Sequence, residues 1–187
     1  MPLLGKQNLA FRINKPPAPK QELPYFQEPR SEEDNLRLAI CKEALSWIPT
    51  PYHDHAGIKH VGCDCAFYPC RVYQSVGLID KKLALPAYSP QQWLNSPSQI
   101  DKMHLRHEDK TYLNVVEGLF REIDLIEILP GDLMLTQVAA SWTHGAIIID
   151  WPKVIHSIVG KGVIKSDALR EGFWATAPRR FFTIVRK

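Results

Sequence analysis

The chain contains 187 residues, of which 45% are hydrophobic and 23% charged, which is typical of one globular domain and excludes a largely disordered chain. Its formal net charge of +3 comes from 23 basic and 20 acidic residues that are scattered along the sequence, which argues against a nucleic-acid-binding protein. No apolar run reaches the roughly 18 residues of a membrane span, and we expect no cleaved secretory signal, because the N-terminus lacks a continuous apolar segment.

Residues 1–30 hold six of the fifteen prolines. Proline-rich segments favour extended polyproline geometry and cannot build a core of their own. We therefore expect either an arm that lies along this domain or a partner protein, or a flexible tail.

The first helix is predicted to start at Ser31. The serine offers an N-cap hydroxyl, and the acidic residues at 32–34 suit the positive end of a helix dipole. Apolar residues then recur at helical spacing until Pro49 ends the pattern. These residues are Leu36, Ala39, Ile40, Ala44, Leu45 and Ile48.

Two further helices are predicted. One begins near Asp64 and runs to Val76, with Pro69 in its first turn and Gly77 as the C-terminal signal. The other covers Glu108 to Phe120, after a proline-containing irregular insertion at about residues 80–106.

The remainder of the chain consists of short β-rich runs separated by turn residues. Helices followed by strands indicate an α+β fold with an antiparallel sheet of five to six strands. The predicted strands are Ile123–Ile128, Leu133–Gln137, His144–Asp150, Lys153–Val159, Gly162–Lys165 and Phe181–Arg186.

Cys65 is the first candidate for chemistry, because it stands at the predicted start of a helix. The positive end of the helix dipole stabilises a thiolate there, and the free backbone N–H groups can receive an oxyanion. A buried, unreactive cysteine is the alternative at this stage. Cys63 could form a disulfide with Cys65 only with strain, so we expect Cys63 to be a free thiol. Cys41 and Cys70 lie on apolar faces of the predicted helices and are expected in the core.

Two histidines could supply the base that a thiol nucleophile needs. A three-residue turn after Ile149 would pair Ala146 with His156. His144 and His156 would then be diagonal neighbours on one face of the sheet, about 7–8 Å apart at the backbone. A two-residue turn would place them on opposite faces.

In this order the motifs resemble the NlpC-type cell-wall peptidases of the papain-like fold, over about residues 48–185. The motifs that carry the resemblance are Pro51-Tyr52, Gly62-Cys63-Asp64-Cys65, Pro130-Gly131-Asp132-Leu133, His144-Gly145-Ala146 and Ile155-His156. The loop before Cys65 and the insertion are most similar to the branch found in tail genes of tailed bacteriophages.

The resemblance implies helices packed on an antiparallel sheet and hydrolysis of peptide bonds in peptidoglycan stem peptides. It assigns Cys65 as nucleophile, His144 as base and His156 as the third member of the triad, and places Tyr52 at the oxyanion. Asp64 either reads an amine of the substrate or caps the helix, and Trp142 either walls the cleft or joins the core. No cofactor or metal is required.

The resemblance also implies a location in the phage virion at the tail tip, with action in the host periplasm or cell wall and contacts to other tail-tip proteins through residues 1–30. A structural tail-tip or hub protein that keeps the peptidase fold is the main alternative.

Two other functional classes, a zinc-binding protein and a lipid acyltransferase, fit the sequence less well. Six His and Cys residues between 53 and 70 could suggest zinc, but they lack paired ligand spacing. Acyl transfer on a lipid by a related fold is disfavoured by the lack of an anchoring segment.

Overall fold

The computed structural model describes residues 31–83, 85, 109–138 and 141–184. The predicted arm at residues 1–30 and most of the predicted insertion at 80–106 lie outside the described residues.

The first helix, α1, spans Glu32–Ser46 and confirms the predicted start. The Ser31 hydroxyl accepts a hydrogen bond from the backbone N–H of Asp34 at 3.0 Å, which satisfies one of the unpaired donors of the first turn. Helix α2 spans Phe67–Ser75, and helix α3 spans Asp109–Leu119. No helix among the described segments is both long and apolar enough to cross a bilayer.

The strands form a two-stranded hairpin and a six-stranded antiparallel sheet in the order β3-β8-β4-β5-β6-β7, as the α+β prediction requires. The hairpin consists of β1 (Gly57–Ile58) and β2 (Gly62–Cys63). The sheet consists of β3 (Arg121–Ile123), β4 (Leu133–Val138), β5 (Ser141–Asp150), β6 (Lys153–Ile158), β7 (Gly162–Asp167) and β8 (Arg179–Thr183).

The predicted strand at Ile123–Ile128 is wrong beyond its first residue. Residues Leu125–Glu127 form a 3₁₀ turn that a reciprocal capping box between Asp124 and Glu127 closes. The apolar side chain of Ile126 is 95% exposed, so the run of apolar residues is not a buried strand.

Alternation along β5 divides the core into two layers. Ile147 and Ile149 pack with the three helices in the larger cluster, whereas Ala146 and Ile148 belong to a smaller cluster on the opposite face of the sheet. The sheet is therefore apolar on both faces at its centre, and the three helices of the described segments cover the face that bears Ile147 and Ile149.

A buried ion pair joins α1 to the loop before β4. The Arg37 Nη1 atom donates to Asp132 Oδ1 at 2.8 Å and to the Pro130 carbonyl at 3.0 Å, and both charged side chains are almost fully buried. Asp132 also accepts from the backbone N–H of Leu129 at 2.8 Å. The Pro-Gly-Asp motif thus has a structural role, which is to fix the start of β4 against α1.

Candidate active site

The turn that carries Cys65 is held by the carboxylate of Asp64. Its Oδ1 accepts from the backbone N–H groups of Ala66 at 3.0 Å and Phe67 at 2.8 Å, and its Oδ2 accepts from that of His55 at 2.8 Å. Asp64 is fully buried, and these contacts are those of a carboxylate that caps the start of a helix. Helix α2 begins at Phe67, and Cys65 lies in the turn that leads into it.

The cysteine turn lies directly against the first half of β5. The Cys65 thiol contacts the carbonyl oxygen of Thr143, with a sulfur-to-oxygen distance of 3.6 Å. A Cβ atom at Gly145 would lie 2.9 Å from Pro69 Cγ, 2.9 Å from the Tyr112 hydroxyl and 3.1 Å from the Cys65 carbonyl. Only glycine allows the α2 start to approach the strand this closely, so Gly145 sets the distance between the nucleophile turn and the strand of His144.

Cys65 is half-buried and is protonated at rest. Burial first, and the negative charge of Asp64 second, raise the pKa of its thiol above the ordinary range. The stabilisation of a resting thiolate expected from the helix dipole is therefore outweighed. A hydrogen bond from the Cys65 backbone N–H to its own sulfur lowers the thiol pKa, but burial and Asp64 outweigh it.

Tyr52 lies beside the cysteine. It forms a β-bridge with Cys63, and burial, the neighbouring Cys65 and a hydrogen bond to the Asp54 carboxylate raise its pKa. The phenol therefore keeps its proton. A protonated phenol can donate a hydrogen bond to an oxyanion.

The imidazole rings of His144 and His156 are in direct contact, with 2.8 Å between His144 Nε2 and His156 Nδ1. The turn between their strands contains two residues, because Asp150 pairs with Lys153. The register then shifts, and Ile148 pairs with Val154, as it would after a three-residue turn. A bulge at Ile149 thus returns both histidines to one face, which the two-residue turn alone would have prevented.

The pair of histidines is enclosed by Ser166 and Trp174. The other nitrogen of His156, Nε2, lies 3.0 Å from the Ser166 hydroxyl oxygen. The Trp174 ring stacks on His144 at a centroid distance of 4.5 Å and meets His156 edge-on at 4.6 Å. These contacts bury His144 to 5% exposure and His156 completely.

Both rings are neutral at neutral pH. Burial is the largest cause of the low pKa of each ring. Burial, with a smaller contribution from His156, holds the pKa of His144 well below the ordinary value. Burial, with a smaller contribution from Lys161, lowers the pKa of His156 to about 3. The site at rest therefore contains an uncharged thiol and two uncharged imidazoles.

Trp142 pairs with Gln137, and the β4–β5 register shifts between this pair and the pair of Thr136 with His144. The Trp142 ring packs against the larger core cluster and faces the Arg180 guanidinium at 5.7 Å. The tryptophan in contact with the imidazoles is Trp174, which follows His144 by thirty residues and carries no motif that sequence reasoning could use.

Ser166 could have been found from the sequence. The β6–β7 hairpin pairs His156 with Ile164, so Ser166 is a diagonal neighbour of His156, as His144 is on the other side. Tyr112, which is buried beside Cys65, comes from α3 and gives no comparable signal.

The remaining thiols and the histidine-rich loop do not form a metal centre within residues 31–83, 109–138 and 141–184, where no three His, Cys, Asp or Glu side chains converge on a common point. All four cysteines are free. Cys41 and Cys70 are buried, as the sequence predicted for core thiols, and Cys63, predicted only as a free thiol, is fully buried. His104 and His107 lie outside the described residues.

Comparisons with known proteins place this arrangement in a family. Solved structures with the same fold include the NlpC/P60 domain of the peptidoglycan hydrolase SagA (19% identity, TM-score 0.50, covering 77% of this chain and 96% of that chain). They also include an NLP/P60 family protein from Staphylococcus aureus (18%, TM-score 0.54, covering 86% and 45%) and NlpC2 from Trichomonas vaginalis (14%, TM-score 0.52, covering 77% and 45%).

This chain thus spans less than half the length of the latter two proteins. No curated protein matches it. The sequence model of the NlpC/P60 family matches residues 50–183, which include the cysteine turn, both histidines and the entire six-stranded sheet. The chain therefore belongs to the NlpC/P60 family.

Proposed function

We propose that the protein is a cysteine peptidase that hydrolyses peptide bonds in peptidoglycan stem peptides. The observation that carries the proposal is the contact between a half-buried thiol and the backbone of residue 143, next to a histidine whose Nε2 is occupied by a second histidine. Membership of the NlpC/P60 family and the fold shared with a peptidoglycan hydrolase support this substrate class.

In the proposed reaction His144 acts as a general base through Nδ1, since its Nε2 is bonded to His156. Nδ1 takes the thiol proton while the Cys65 sulfur attacks the amide carbonyl carbon. In this proposal the Cys65 backbone N–H, joined by the Tyr52 hydroxyl, stabilises the oxyanion. The C–N bond then breaks, and the proton passes from His144 to the leaving amine.

The resulting thioester is hydrolysed by water. His144 removes a proton from the water as it adds to the thioester carbonyl, and returns it to the sulfur when the C–S bond breaks. The carboxylic acid product keeps the second proton of the water and loses it to solvent after release. The cycle consumes one water and restores the neutral thiol and imidazole. Because both groups start uncharged, the proton transfer accompanies the attack on the carbonyl.

The test is digestion of purified peptidoglycan, followed by mass spectrometry of the released fragments. We expect the wild type to release peptides with new termini and Cys65→Ala to release none. Cys63→Ala is the matched control, because this thiol is two residues away and fully buried. Equal digestion by wild type and Cys65→Ala would refute the proposal.

We further propose that the protein works at a bacteriophage tail tip, held there through residues 1–30. The resemblance of the loop before Cys65 and of the insertion to phage tail genes supports this location. Mass spectrometry of purified virions should detect the chain. Particles that carry Cys65→Ala should assemble but fail to open the cell wall, whereas particles with normal infectivity would favour the structural tail-tip alternative.

A further inference from the structure

The histidine pair ends in a buried serine on β7. The Ser166 hydroxyl oxygen is 3.0 Å from His156 Nε2, and Ser166 is only 4% exposed. Because both nitrogens of His156 are engaged, one by His144 and the other by Ser166, the three side chains form one chain of hydrogen bonds.

The donors and acceptors in this series of hydrogen bonds can be arranged in two directions, which have opposite consequences for His144 as the proposed base. If Ser166 accepts a proton from His156 Nε2, then His156 Nδ1 must accept one from His144 Nε2, and His144 Nδ1 is left with a lone pair. If Ser166 instead donates its proton to His156 Nε2, then His156 carries its own proton on Nδ1 and donates it to His144 Nε2. His144 then carries its proton on Nδ1 and cannot accept the thiol proton.

We propose that Ser166 is a positioning residue of this site, whose hydroxyl oxygen accepts from His156 Nε2 and thereby selects the tautomer in which His144 is a competent base. The inference rests on the proposed function for its catalytic consequence, but the selection of the tautomer is a property of the resting protein.

The role proposed for His144 selects this direction, because only the tautomer with an unprotonated Nδ1 can accept the thiol proton. The rings lie in a buried site under Trp174, so water does not replace a missing partner of the His156 Nε2–H group. A buried N–H without an acceptor is unfavourable, and the hydroxyl of Ser166 is the acceptor within reach. Burial first, and Lys161 second, lower the pKa of His156 and keep that ring neutral, so its Nδ1 can accept from His144.

The decisive measurement is the tautomeric state of both rings by ¹⁵N NMR of the resting protein at neutral pH, which requires no substrate. In the wild type we expect protonated Nε2 and unprotonated Nδ1 on both His144 and His156. In Ser166→Ala we expect a mixture of tautomers on both rings, and Ser166→Thr should restore the wild-type spectrum because it keeps the hydroxyl.

Activity gives the second readout. Ser166→Ala should lower kcat on peptidoglycan about tenfold, equivalent to about 1.4 kcal/mol of activation free energy, with KM unchanged and partial rescue by Ser166→Thr. Thr136→Val is the matched control. It removes another fully buried hydroxyl of the same sheet, and this one bonds to none of the described residues.

The outcomes separate the two proposals. Unchanged tautomers and unchanged kcat in Ser166→Ala would overturn the role of Ser166, whatever the enzyme does. Equal losses in Ser166→Ala and Thr136→Val, with wild-type tautomers in both, would also overturn it, because packing alone would explain them. Failure of the proposed function instead appears as an inactive wild type or an active Cys65→Ala.

Discussion

Replacement of Gly145 by alanine tests whether close approach of α2 to β5 determines the geometry of the cysteine turn. The added Cβ would lie 2.9 Å from both Pro69 Cγ and the Tyr112 hydroxyl, where ordinary contacts between such atoms are about 3.5–4.0 Å. Pro69 belongs to the first turn of α2 and Tyr112 to α3, so neither can turn aside without a shift of its helix by roughly 0.5–1 Å.

Overpacking of this kind costs about 1–3 kcal/mol, and the lower entropy of an unfolded alanine returns about 0.4–1 kcal/mol of it. We therefore expect Gly145→Ala to lower the free energy of unfolding by about 1–2 kcal/mol in urea titrations. The labelling rate of Cys65 by iodoacetamide in the folded protein should also change, since the Cys65 carbonyl would be 3.1 Å from the new carbon.

Gly118 supplies the control. It lies in α3, and a Cβ there would meet nothing within 4 Å, so Gly118→Ala should stabilise the protein by about 0.5–1 kcal/mol through helix propensity and leave the labelling rate unchanged. The two substitutions are chemically identical and should have opposite signs. A Gly145→Ala protein as stable as the wild type, with unaltered labelling of Cys65, would refute the argument from close approach.

Two further predictions concern stability. Arg37→Met should lower the free energy of unfolding by about 3–5 kcal/mol in urea titrations, because it leaves the Asp132 carboxylate buried without its cation. Arg121→Met removes the cation of an exposed ion pair and should cost less than about 1 kcal/mol. Similar losses in the two variants would contradict this expectation. The pKa values of His144 and His156 are lowered in the folded protein. Below pH 6.5, which is about the pKa of histidine in the unfolded chain, the unfolded chain therefore binds more protons than the folded protein. Stability must then fall as the pH falls. Between pH 6.5 and 5.5, where ordinary carboxylates do not titrate, we expect the free energy of unfolding to fall by about 1 kcal/mol for each of the two histidines. His156→Gln should show a weaker dependence of stability on pH. A wild-type stability that does not change over this pH range would exclude burial of the rings in their neutral form.

Much of this protein could be predicted from the sequence because the deciding interactions are local. The Ser31 cap and the three acidic residues after it act within one helical turn, and α1 begins where they indicate. Alternation and turn residues likewise locate most strands of the sheet, and the order of helices and strands gives the α+β class. The five ordered motifs also led to the correct family.

The sequence predictions failed where two local signals conflict in the same residues or where burial in the folded protein outweighs a local effect. The apolar run after Ile123 resembles a strand, but the Asp124–Glu127 capping box forms a 3₁₀ turn, and Ile126 is left in solvent. The thiol pKa depends on tertiary context. The helix dipole favours a thiolate, but desolvation by the packed surroundings exceeds it and keeps Cys65 protonated.

The sequence alone determined which residue types were available for the site: a cysteine before a helix and two histidines on adjoining strands. Only the tertiary structure decided that the rings meet, because the bulge at Ile149 corrects a turn that would otherwise separate them. It also brought Trp174 and Ser166 to those rings from elements that follow later in the chain. Side-chain alternation changes face with every single residue, so one bulge in a hairpin determines whether the two imidazoles share a hydrogen bond or lie on opposite sides of the sheet.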